Sequence, residues 1–458
     1  MKVYEDGLPV PQRYWAMLAI GLGISMSVLD SSIANIALPS IAQSVHATPT
    51  QSIWVINGYQ LAIVMTLLPL ASLGEQVGYR RVYQIGLVVF TVGSLACALS
   101  ESLPAVIASR ALQGLGASGL MSVNAALLRF TYPRTLLGRG IGINAMTVSI
   151  SSAIGPSIGS AVLSLGSWQW LFAINVPIGI VNGVLASRAL PESEHSGRPF
   201  NWPSALLSAL AFGLFFLAVD AFTHSHWSPW IGVMLLVMAL AAGTNLIQQQ
   251  RSADQPIIPI DLLRMRVFSL SAAVSLTAFA AHALAFVSLP FYFVSELHRT
   301  QAETGLLLTP WPVAVALTAP VAGRLCDRVP PGLLVGVGLV LLSCGFGLLA
   351  ALPSQASSFD IGWRMVLSGV GFGLFQTPNN RTLLSSAPRA RSGAAGGMLA
   401  AARQVGMTSG AAVAAVVFWW VPSHSEPVNL GIGAALGIAA AIVSTLRLFK
   451  PSATHPAF

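Results

Sequence analysis

Charged residues are scarce in this chain, and their scarcity excludes an ordinary soluble protein. Only 8% of the 458 residues are Asp, Glu, Lys or Arg, while 54% are hydrophobic and the mean hydropathy is +0.72. A soluble globular domain carries about 25% charged residues, which cover its water-facing surface. Because long apolar runs recur from Trp15 to Leu448, we expect the lipid bilayer to be the main solvent.

Cysteines are few, and several catalytic motifs are missing. Cys97, Cys326 and Cys344 fall in apolar runs without C-x-x-C spacing, so we interpret them as small packing residues. The chain has no G-x-x-x-x-G-K-[ST] loop for ATP, no H-E-x-x-H helix for zinc, and no loop resembling an ion-channel filter. The sequence therefore predicts a protein that is not an enzyme, that holds no cofactor or metal, and that takes its energy from a gradient.

The chain does contain fourteen apolar stretches long enough to cross a membrane. A helix needs about 20 apolar residues to span the hydrocarbon core, and these runs are too long and continuous for β-barrel strands. An all-α membrane protein is therefore predicted. The predicted spans are 14–38, 51–71, 81–99, 104–127, 139–163, 169–188, 203–221, 229–248, 267–294, 303–323, 332–352, 361–383, 393–420 and 429–448.

Basic residues concentrate in every second loop, which predicts the orientation of the chain. Cytoplasmic loops are enriched in Lys and Arg, so both termini are expected in the cytoplasm. The formal net charge of +8 is then a topology signal rather than a nucleic-acid-binding face. The residues that carry this signal are Arg80, Arg81, Arg129, Arg134, Arg139, Arg188, Arg198, Arg251, Arg264, Arg266, Arg324, Arg328, Arg381, Arg389, Arg391, Arg447 and Lys450.

An internal repeat relates two loops and two span ends. LGEQVGYRR at 73–81 follows span 2, and GRLCDRVPP at 323–331 follows span 10, so Glu75 and Asp327 occupy matching positions. GLGASGLMSVNAALL at 114–128 and GVGFGLFQTPNNRTLL at 369–384 end spans 4 and 12, with Asn124 aligned to Asn379. Repeats of this kind are typical of secondary transporters.

The repeat is complete without spans 7 and 8, which predicts three segments. Residues 1–192 form an N-terminal six-helix bundle, 193–258 a two-helix insertion, and 259–458 a C-terminal six-helix bundle. We expect the insertion to pack outside the two bundles.

The acid in each repeated loop predicts a conformational latch. An acid near a helix end accepts hydrogen bonds from the N-terminus of a neighbouring helix and pairs with arginines. The expected partners are Arg80 and Arg81 for Glu75, and Arg328 for Asp327. The alternative is an ordinary positive-inside loop whose acid has no role in conformational change.

Six motifs give the chain, over its whole length, a resemblance to the major facilitator superfamily. The two repeated loops resemble its G-x-L-x-D-R-x-G-R-[KR] loop, with Glu75 in place of Asp and Pro330 in place of a usual Gly. Four further segments resemble the fourteen-span drug:proton antiporters that export methyl viologen, quaternary ammonium compounds and dyes. They are LDSSIANIALP (29–39), SRALQGLGAS (109–118), AIGPSIGS (153–160, with Ser160 in place of the last Gly) and WQWLFAINVPIG (168–179).

The resemblance implies a fold of two six-helix bundles with two extra helices. It also implies a function, the proton-coupled export of lipophilic cations, which confers multidrug and biocide resistance. The alternative is a solute:proton symporter of the same fold, which the antiporter-type Gly155-Pro156 argues against. We expect a multi-pass monomer in the bacterial cytoplasmic membrane. Its expected partners are drugs, protons and membrane lipid, and it binds no nucleic acid.

Asp30 and Arg110 are the predicted proton-coupling residues. A carboxylate in the middle of span 1 costs about 2.5–3.5 kcal/mol on insertion scales, which favours its protonated form until a cation or water reaches it. The resemblance links an arginine at the position of Arg110 to proton transfer. The alternatives are that Asp30 fixes a helix contact through Asn35 or Ser31, and that Arg110 pairs with loop residues.

Glycine and proline in span 5 predict a hinge, and aromatic residues in several spans predict a substrate cavity. Gly155, Pro156 and Gly159 form the expected hinge, with a static kink as the alternative. Arg403 either lines the cavity or bridges helices. The predicted lining residues are Asn35, Trp54, Tyr59, Asn124, Met146, Phe286, Tyr292, Trp311, Phe375, Asn379 and Arg403.

Overall fold

A computed structural model describes residues 6–193, 200–223, 229–251, 256–353, 355–421 and 424–447. Arg198 and Lys450 of the predicted topology signal lie outside these residues. Fourteen long helices are numbered here in chain order. The first seven are α1 (Gln12–Ser44), α2 (Trp54–Val77), α3 (Tyr79–Ala98), α4 (Leu103–Thr131), α5 (Leu137–Leu165), α6 (Asn175–Ala189) and α7 (Trp202–Thr223).

The remaining long helices are α8 (Pro229–Gln250), α9 (Arg266–Phe291), α10 (Pro310–Leu325), α11 (Pro331–Ala350), α12 (Ser358–Ser386), α13 (Ser392–Trp420) and α14 (Ser425–Thr445). Short helices precede several of them, as Gln169–Ala173 precedes α6 and Gln301–Leu308 precedes α10. The second of these starts at a capping box, in which Thr300 and Glu303 each accept a hydrogen bond from the backbone N–H of the other.

Thirteen helices within the described ranges are long and apolar enough to cross a membrane. The predicted span 361–383 corresponds to α12, which has 29 residues but lies outside that set of thirteen. Gln376, Asn379, Asn380 and Arg381 lie in its C-terminal half and lower its hydropathy. An apolar environment favours helices because all backbone hydrogen bonds close within the segment.

The chain forms two compact units. The first comprises Met1–Gly140, Thr147–Asp261 and Ala387–Ala401, and the second comprises Ile141–Met146, Leu262–Ser386 and Ala402–Phe458. In the first unit α4 packs on α2 and α3, and α1 packs on α4 and α6. Close approach of α3 to α4 rests on glycine: a Cβ at Gly93 would lie 2.6 Å from the backbone nitrogen of Gln113.

In the second unit α11 packs on α12 and α14, α10 packs on α12, and α9 packs on α14 and α12. Its core is rich in aromatic residues, among them Phe279, Trp311, Phe346, Phe372 and Phe375. Buried aromatic side chains of this size supply much of the packing area between helices.

The helices of the predicted insertion, α7 and α8, belong to the first unit. α7 packs along α2, and α8 packs along α7. Asn57 on α2 donates a hydrogen bond from Nδ2 to Asp220 Oδ1 on α7 at 2.6 Å. The division of the chain at residues 192 and 258 follows the sequence repeat and stays a prediction.

Candidate functional site

Asp30 and Arg110 form a buried ion pair inside the first unit. Asp30 lies in the middle of α1 and Arg110 about two turns into α4, and each side chain is 1% exposed. Arg110 Nη1 donates to Asp30 Oδ2. Gln113 Nε2 donates to Asp30 Oδ1 at 2.7 Å, and Asn175 Nδ2 donates to the same oxygen at 3.1 Å. These four residues are called the Asp30 network.

The guanidinium group of Arg110 is held on several sides. Its Nε donates to the carbonyl oxygen of Val55 at 3.1 Å, and its Nη1 also donates to Gln113 Oε1 at 2.6 Å. The Tyr59 ring centroid lies 4.1 Å from Cζ and the Phe172 centroid 5.5 Å. Cation–π contacts strengthen where water is excluded, so the aromatic rings and the carboxylate together compensate this buried charge.

Tyr59, predicted as cavity wall, is instead fully buried against Arg110, and its hydroxyl donates to the carbonyl oxygen of Ser27 at 3.2 Å. The alternative contact of Asp30 with Asn35 is not formed, because Asn35 Nδ2 donates to the carbonyl oxygen of Ser31 at 2.8 Å. Gln113 and Asn175 were not singled out from the sequence. Both stand in quoted motifs, and Gln113 follows Arg110 by one helical turn.

Glu75 lies at the end of α2 and binds the start of α13. Its Oε1 accepts a hydrogen bond from the backbone N–H of Ala394 at 2.7 Å, and its Oε2 pairs with Arg391 Nη1 at 2.6 Å. Arg391 also forms two hydrogen bonds with Asp261, at 2.9 and 3.0 Å. The Glu75 side chain is 3% exposed. These three side chains are called the Glu75 cluster.

The predicted partners of the two loop acids were wrong. Glu75 pairs with Arg391, whereas Arg80 turns outward to Glu192 at 3.3 Å, and Arg81 is exposed. Asp327 pairs with Arg381 on α12 at 3.1 Å, and Arg328 is exposed. Arg80 and Arg81 lie in the first turn of α3, where one reaches Glu192 and the other is exposed, and Arg328 is exposed in the turn before α11.

Gly155 brings α5 close to α1, and α5 continues without a break through Pro156. A Cβ at Gly155 would lie 2.6 Å from the Ser32 Cβ, while a Cβ at Gly159 would make ordinary contacts with Ile33 at 3.7 Å. Glycine at 155 is therefore required by close packing. The hinge role of Gly155, Pro156 and Gly159 stays a prediction.

The second unit contains an aromatic cluster around a histidine on α9. The His282 ring centroid lies 4.3 Å from that of Phe286, 4.8 Å from Phe372 and 5.3 Å from Trp311. Phe279, one turn before His282, lies 5.5 Å from Phe372. These five residues are called the His282 cluster. Arg403 on α13 places its Cζ 5.5 Å from the Phe279 centroid.

The other residues that were predicted to line a substrate cavity differ in their burial and contacts. Asn379 is fully buried and donates from Nδ2 to Ser275 Oγ at 2.8 Å and to the Ser271 carbonyl oxygen at 3.0 Å, so it joins α12 to α9. Tyr292 donates to the Leu352 carbonyl oxygen at 3.4 Å. Phe375 and Asn124 are buried, Trp54 and Met146 are partly buried, and Asn35 is exposed.

The cysteines lie in different environments. Cys97 is buried and its Sγ lies 3.7 Å from Gln113 Oε1, so it borders the Asp30 network. Burial raises the pKa of the Cys326 thiol, which keeps it protonated. Cys344 is exposed. An inert thiol at Cys326 agrees with its interpretation as a small packing residue.

The chain resembles several curated transporters over most of its length. It is 50% identical over 452 residues to the uncharacterized transporter YebQ of Escherichia coli K12, covering 98% of this chain and 99% of the relative. It is 29% identical to the riboflavin transporter RibZ of Clostridioides difficile, covering 88% and 87%. It is 30% identical to the multidrug resistance protein Stp of Mycobacterium tuberculosis H37Rv, covering 90% and 77%.

Family and fold comparisons agree with the predicted fold. The fold matches the crystal structure of the human organic anion transporter MFSD10 with a TM-score of 0.68 at 15% identity, covering 95% of this chain and all of that one. The model of the Major Facilitator Superfamily matches residues 20–411. The predictions of an all-α membrane fold, a non-enzyme and a multi-pass inner-membrane protein are confirmed. The chain belongs to the major facilitator superfamily.

Proposed function

We propose that the chain is a proton-coupled antiporter that exports lipophilic small molecules by alternating access, with both termini in the cytoplasm. The observation that carries the proposal is the Asp30 network, because a carboxylate in the middle of a span marks an ion or substrate pathway. The resemblance of the motifs to the fourteen-span drug:proton antiporters of the methyl viologen and quaternary ammonium type supports the proposal. The extra helices α7 and α8 fit that branch.

Asp30 exchanges the proton. While ionised, its two oxygens accept hydrogen bonds from Arg110, Gln113 and Asn175. A proton that enters the network binds Asp30, removes the negative charge and weakens the bond to Arg110. Arg110 keeps the Val55 carbonyl and Gln113 Oε1 as acceptors, so its charge stays solvated by the protein. The network can therefore exist in a charged, tight state and a protonated, looser state.

Substrate is exchanged for a proton because the two favour different states of this network. A ligand that binds better when Asp30 is ionised expels the proton, and reprotonation expels the ligand. This linkage produces antiport. Symport requires the ligand to prefer the protonated state, and the same residues permit it. The Gly155-Pro156 pair, which resembles the antiporter motif, favours antiport.

The Glu75 cluster acts as the conformational latch in this proposal. The carboxylate neutralises the positive end of α13 and pairs with Arg391, so the contacts exist only while α13 starts beside the end of α2. Gly155 provides the close packing about which α5 and α1 move. Asp327 with Arg381 serves as a second, more exposed contact at the matching loop.

The names of two relatives bear on the substrate. Stp is named as a multidrug resistance protein, which supports export of drugs, and RibZ is named as a riboflavin transporter. The motif resemblance favours cations. Charge preference depends on residues beyond the Asp30 network, whose carboxylate is already neutralised by Arg110.

The proposal is tested in sealed vesicles that contain the purified protein. A drug gradient should drive proton movement, read from a pH-sensitive dye, in the wild type but not in Asp30→Asn. Asp360→Asn is the matched control, since Asp360 pairs with Arg364 near a helix end and should keep full proton movement. Proton movement by Asp30→Asn at the wild-type rate would refute the assignment of Asp30.

A further inference from the structure

The second unit differs from the first in where its acids lie. All five of its carboxylates lie at helix ends: Glu296, Glu303, Asp327, Asp360 and Glu426. None occupies the middle of a span, as Asp30 does in the first unit. The middle of the second unit therefore offers no negative charge to a ligand.

Arg403 supplies a positive charge there instead. It lies on α13 about three turns from the start of the helix and is partly buried. Among the described residues, Arg403 forms no ion pair or hydrogen bond with the protein, and its contact is the Phe279 ring at 5.5 Å from Cζ. An arginine cannot lose its proton under ordinary conditions, so its charge is available to an anionic ligand.

The aromatic rings of the His282 cluster lie beside this charge, and His282 and Phe286 are its partly buried members. Phe279 contacts both Arg403 and Phe372, and the Phe372 centroid lies 4.8 Å from that of His282. Within the described part of the chain, His282 Nδ1 is buried without a hydrogen-bond partner. A buried polar atom without a partner is a place where a ligand or an ordered water can bind. With its proton on Nδ1, the imidazole donates to an acceptor of the ligand.

We propose that Arg403 and the His282 cluster form a substrate subsite for planar aromatic anions, with a carboxylate as the preferred charged group. The carboxylate pairs with the Arg403 guanidinium, and His282 Nδ1 donates to a further acceptor. The aromatic body packs on Phe279, Phe286 and Phe372. This subsite rests on the proposed transport function and names its substrate class.

The same residues disfavour a cation. A planar cation that stacks on Phe279 meets the guanidinium group on the same ring, with no carboxylate to offset the repulsion. The preference for cations implied by the motif resemblance would require an acid in this place. The Asp30 carboxylate does not serve, because three side chains already bind it.

Equilibrium binding of two matched fluorescent probes tests the subsite without any gradient. The probes are 1-pyrenebutanoate and 1-pyrenebutylammonium, which share a planar body and differ in charge. The wild type in neutral detergent should bind the carboxylate at least tenfold more tightly than the ammonium. Arg403→Gln should remove that difference, and Arg403→Lys should retain most of it.

Arg364→Gln is the control, since Arg364 pairs with Asp360 and donates to the Leu348 carbonyl oxygen, and it should keep the wild-type preference. If Arg403→Gln does not fold, the wild-type preference and its retention in Arg403→Lys decide the question. Equal binding of the probes by the wild type, tighter binding of the ammonium, or an unchanged preference in Arg403→Gln would overturn the subsite. Asp30→Asn should keep the difference in affinity between the two probes. Probe binding by Arg403→Gln therefore tests the subsite, whereas proton movement by Asp30→Asn tests proton coupling.

Discussion

Two arginines inside membrane-spanning helices differ in how their charge is compensated. Arg110 has a carboxylate, a backbone carbonyl, an amide oxygen and an aromatic ring around it. Arg403 has only the Phe279 ring among the residues that the structure describes. Burying an unpaired charge is expensive, so we expect the paired arginine to act within the Asp30 network and the other arginine to bind a ligand. In our proposal the first unit exchanges protons and the second unit binds substrate.

The repeated loops show a second contrast. Glu75 is 3% exposed and pairs with Arg391, whereas Asp327 is 25% exposed and pairs with Arg381. Matching sequence positions therefore carry different contacts. Buried pairs couple strongly to structure and exposed pairs weakly, so the Glu75 loop should dominate the latch.

The largest expected effect comes from breaking the buried pair of the first unit. Arg110→Gln leaves Asp30 buried without its cation and should lower stability by about 3–5 kcal/mol. The double variant Asp30→Asn with Arg110→Gln removes both charges and should recover part of that loss. Thermal unfolding in detergent measures both. A double variant less stable than Arg110→Gln alone would contradict the idea that the two charges compensate each other.

The Glu75 cluster should give a smaller, uniform effect on transport. Glu75→Gln removes the charge that pairs with Arg391 and should shift the conformational balance by about 1–3 kcal/mol. Transport of every substrate should slow by a similar factor, while binding in detergent stays nearly unchanged. Asp327→Asn should slow transport less, because surface pairs contribute about 0–1 kcal/mol. Loss of one substrate alone in Glu75→Gln would instead indicate that the loop takes part in recognition.

Close packing at the start of α13 gives an independent test of the same cluster. In Gly393→Ala, the new Cβ would lie 2.7 Å from Glu75 Cγ and 2.8 Å from the Ala71 carbonyl oxygen. Overpacking of this kind costs about 1–3 kcal/mol, and we expect about 1–2 because the Glu75 side chain can shift. Gly431→Ala is the control, as no atom lies within 4 Å of its added Cβ. Equal melting temperatures for the two variants would contradict this packing.

The smallest effect is expected at the link between α7 and α2. Asp220→Asn keeps the shape and can still accept a hydrogen bond from Asn57, so stability should change by about 1 kcal/mol or less. Transport rate and proton coupling should stay close to the wild type if α7 and α8 are peripheral. Loss of proton movement in this variant would bring α7 into the coupling mechanism.

The fold could be read from the sequence because apolar runs of about 20 residues have few alternatives in a bilayer. The run at 361–383 predicted α12 in spite of its polar C-terminal half. Asp30 and Arg110 stood out because charge in the middle of a span is rare. The family resemblance suggested a coupling role for both, but their contact across 80 positions is seen only in the structure.

The partners of these residues were harder to find. Gln113 and Asn175 look like many other polar residues in membrane helices, and their contacts depend on how α1, α4 and α6 pack. Arg391 lies 316 positions from Glu75, and its charge was explained by the positive-inside pattern alone. His282 gave no metal-binding spacing, and only the packing of α9 against α12 shows the rings around it.

Proton release on substrate binding tests the central claim most directly. The purified protein in weakly buffered detergent is mixed with a transported drug, and the pH change is followed over a range of starting pH values. The account predicts that the wild type releases protons over part of that range, and that Asp30→Asn binds the drug but releases none. Proton release from Asp30→Asn equal to that of the wild type would contradict the assignment of proton exchange to the Asp30 network.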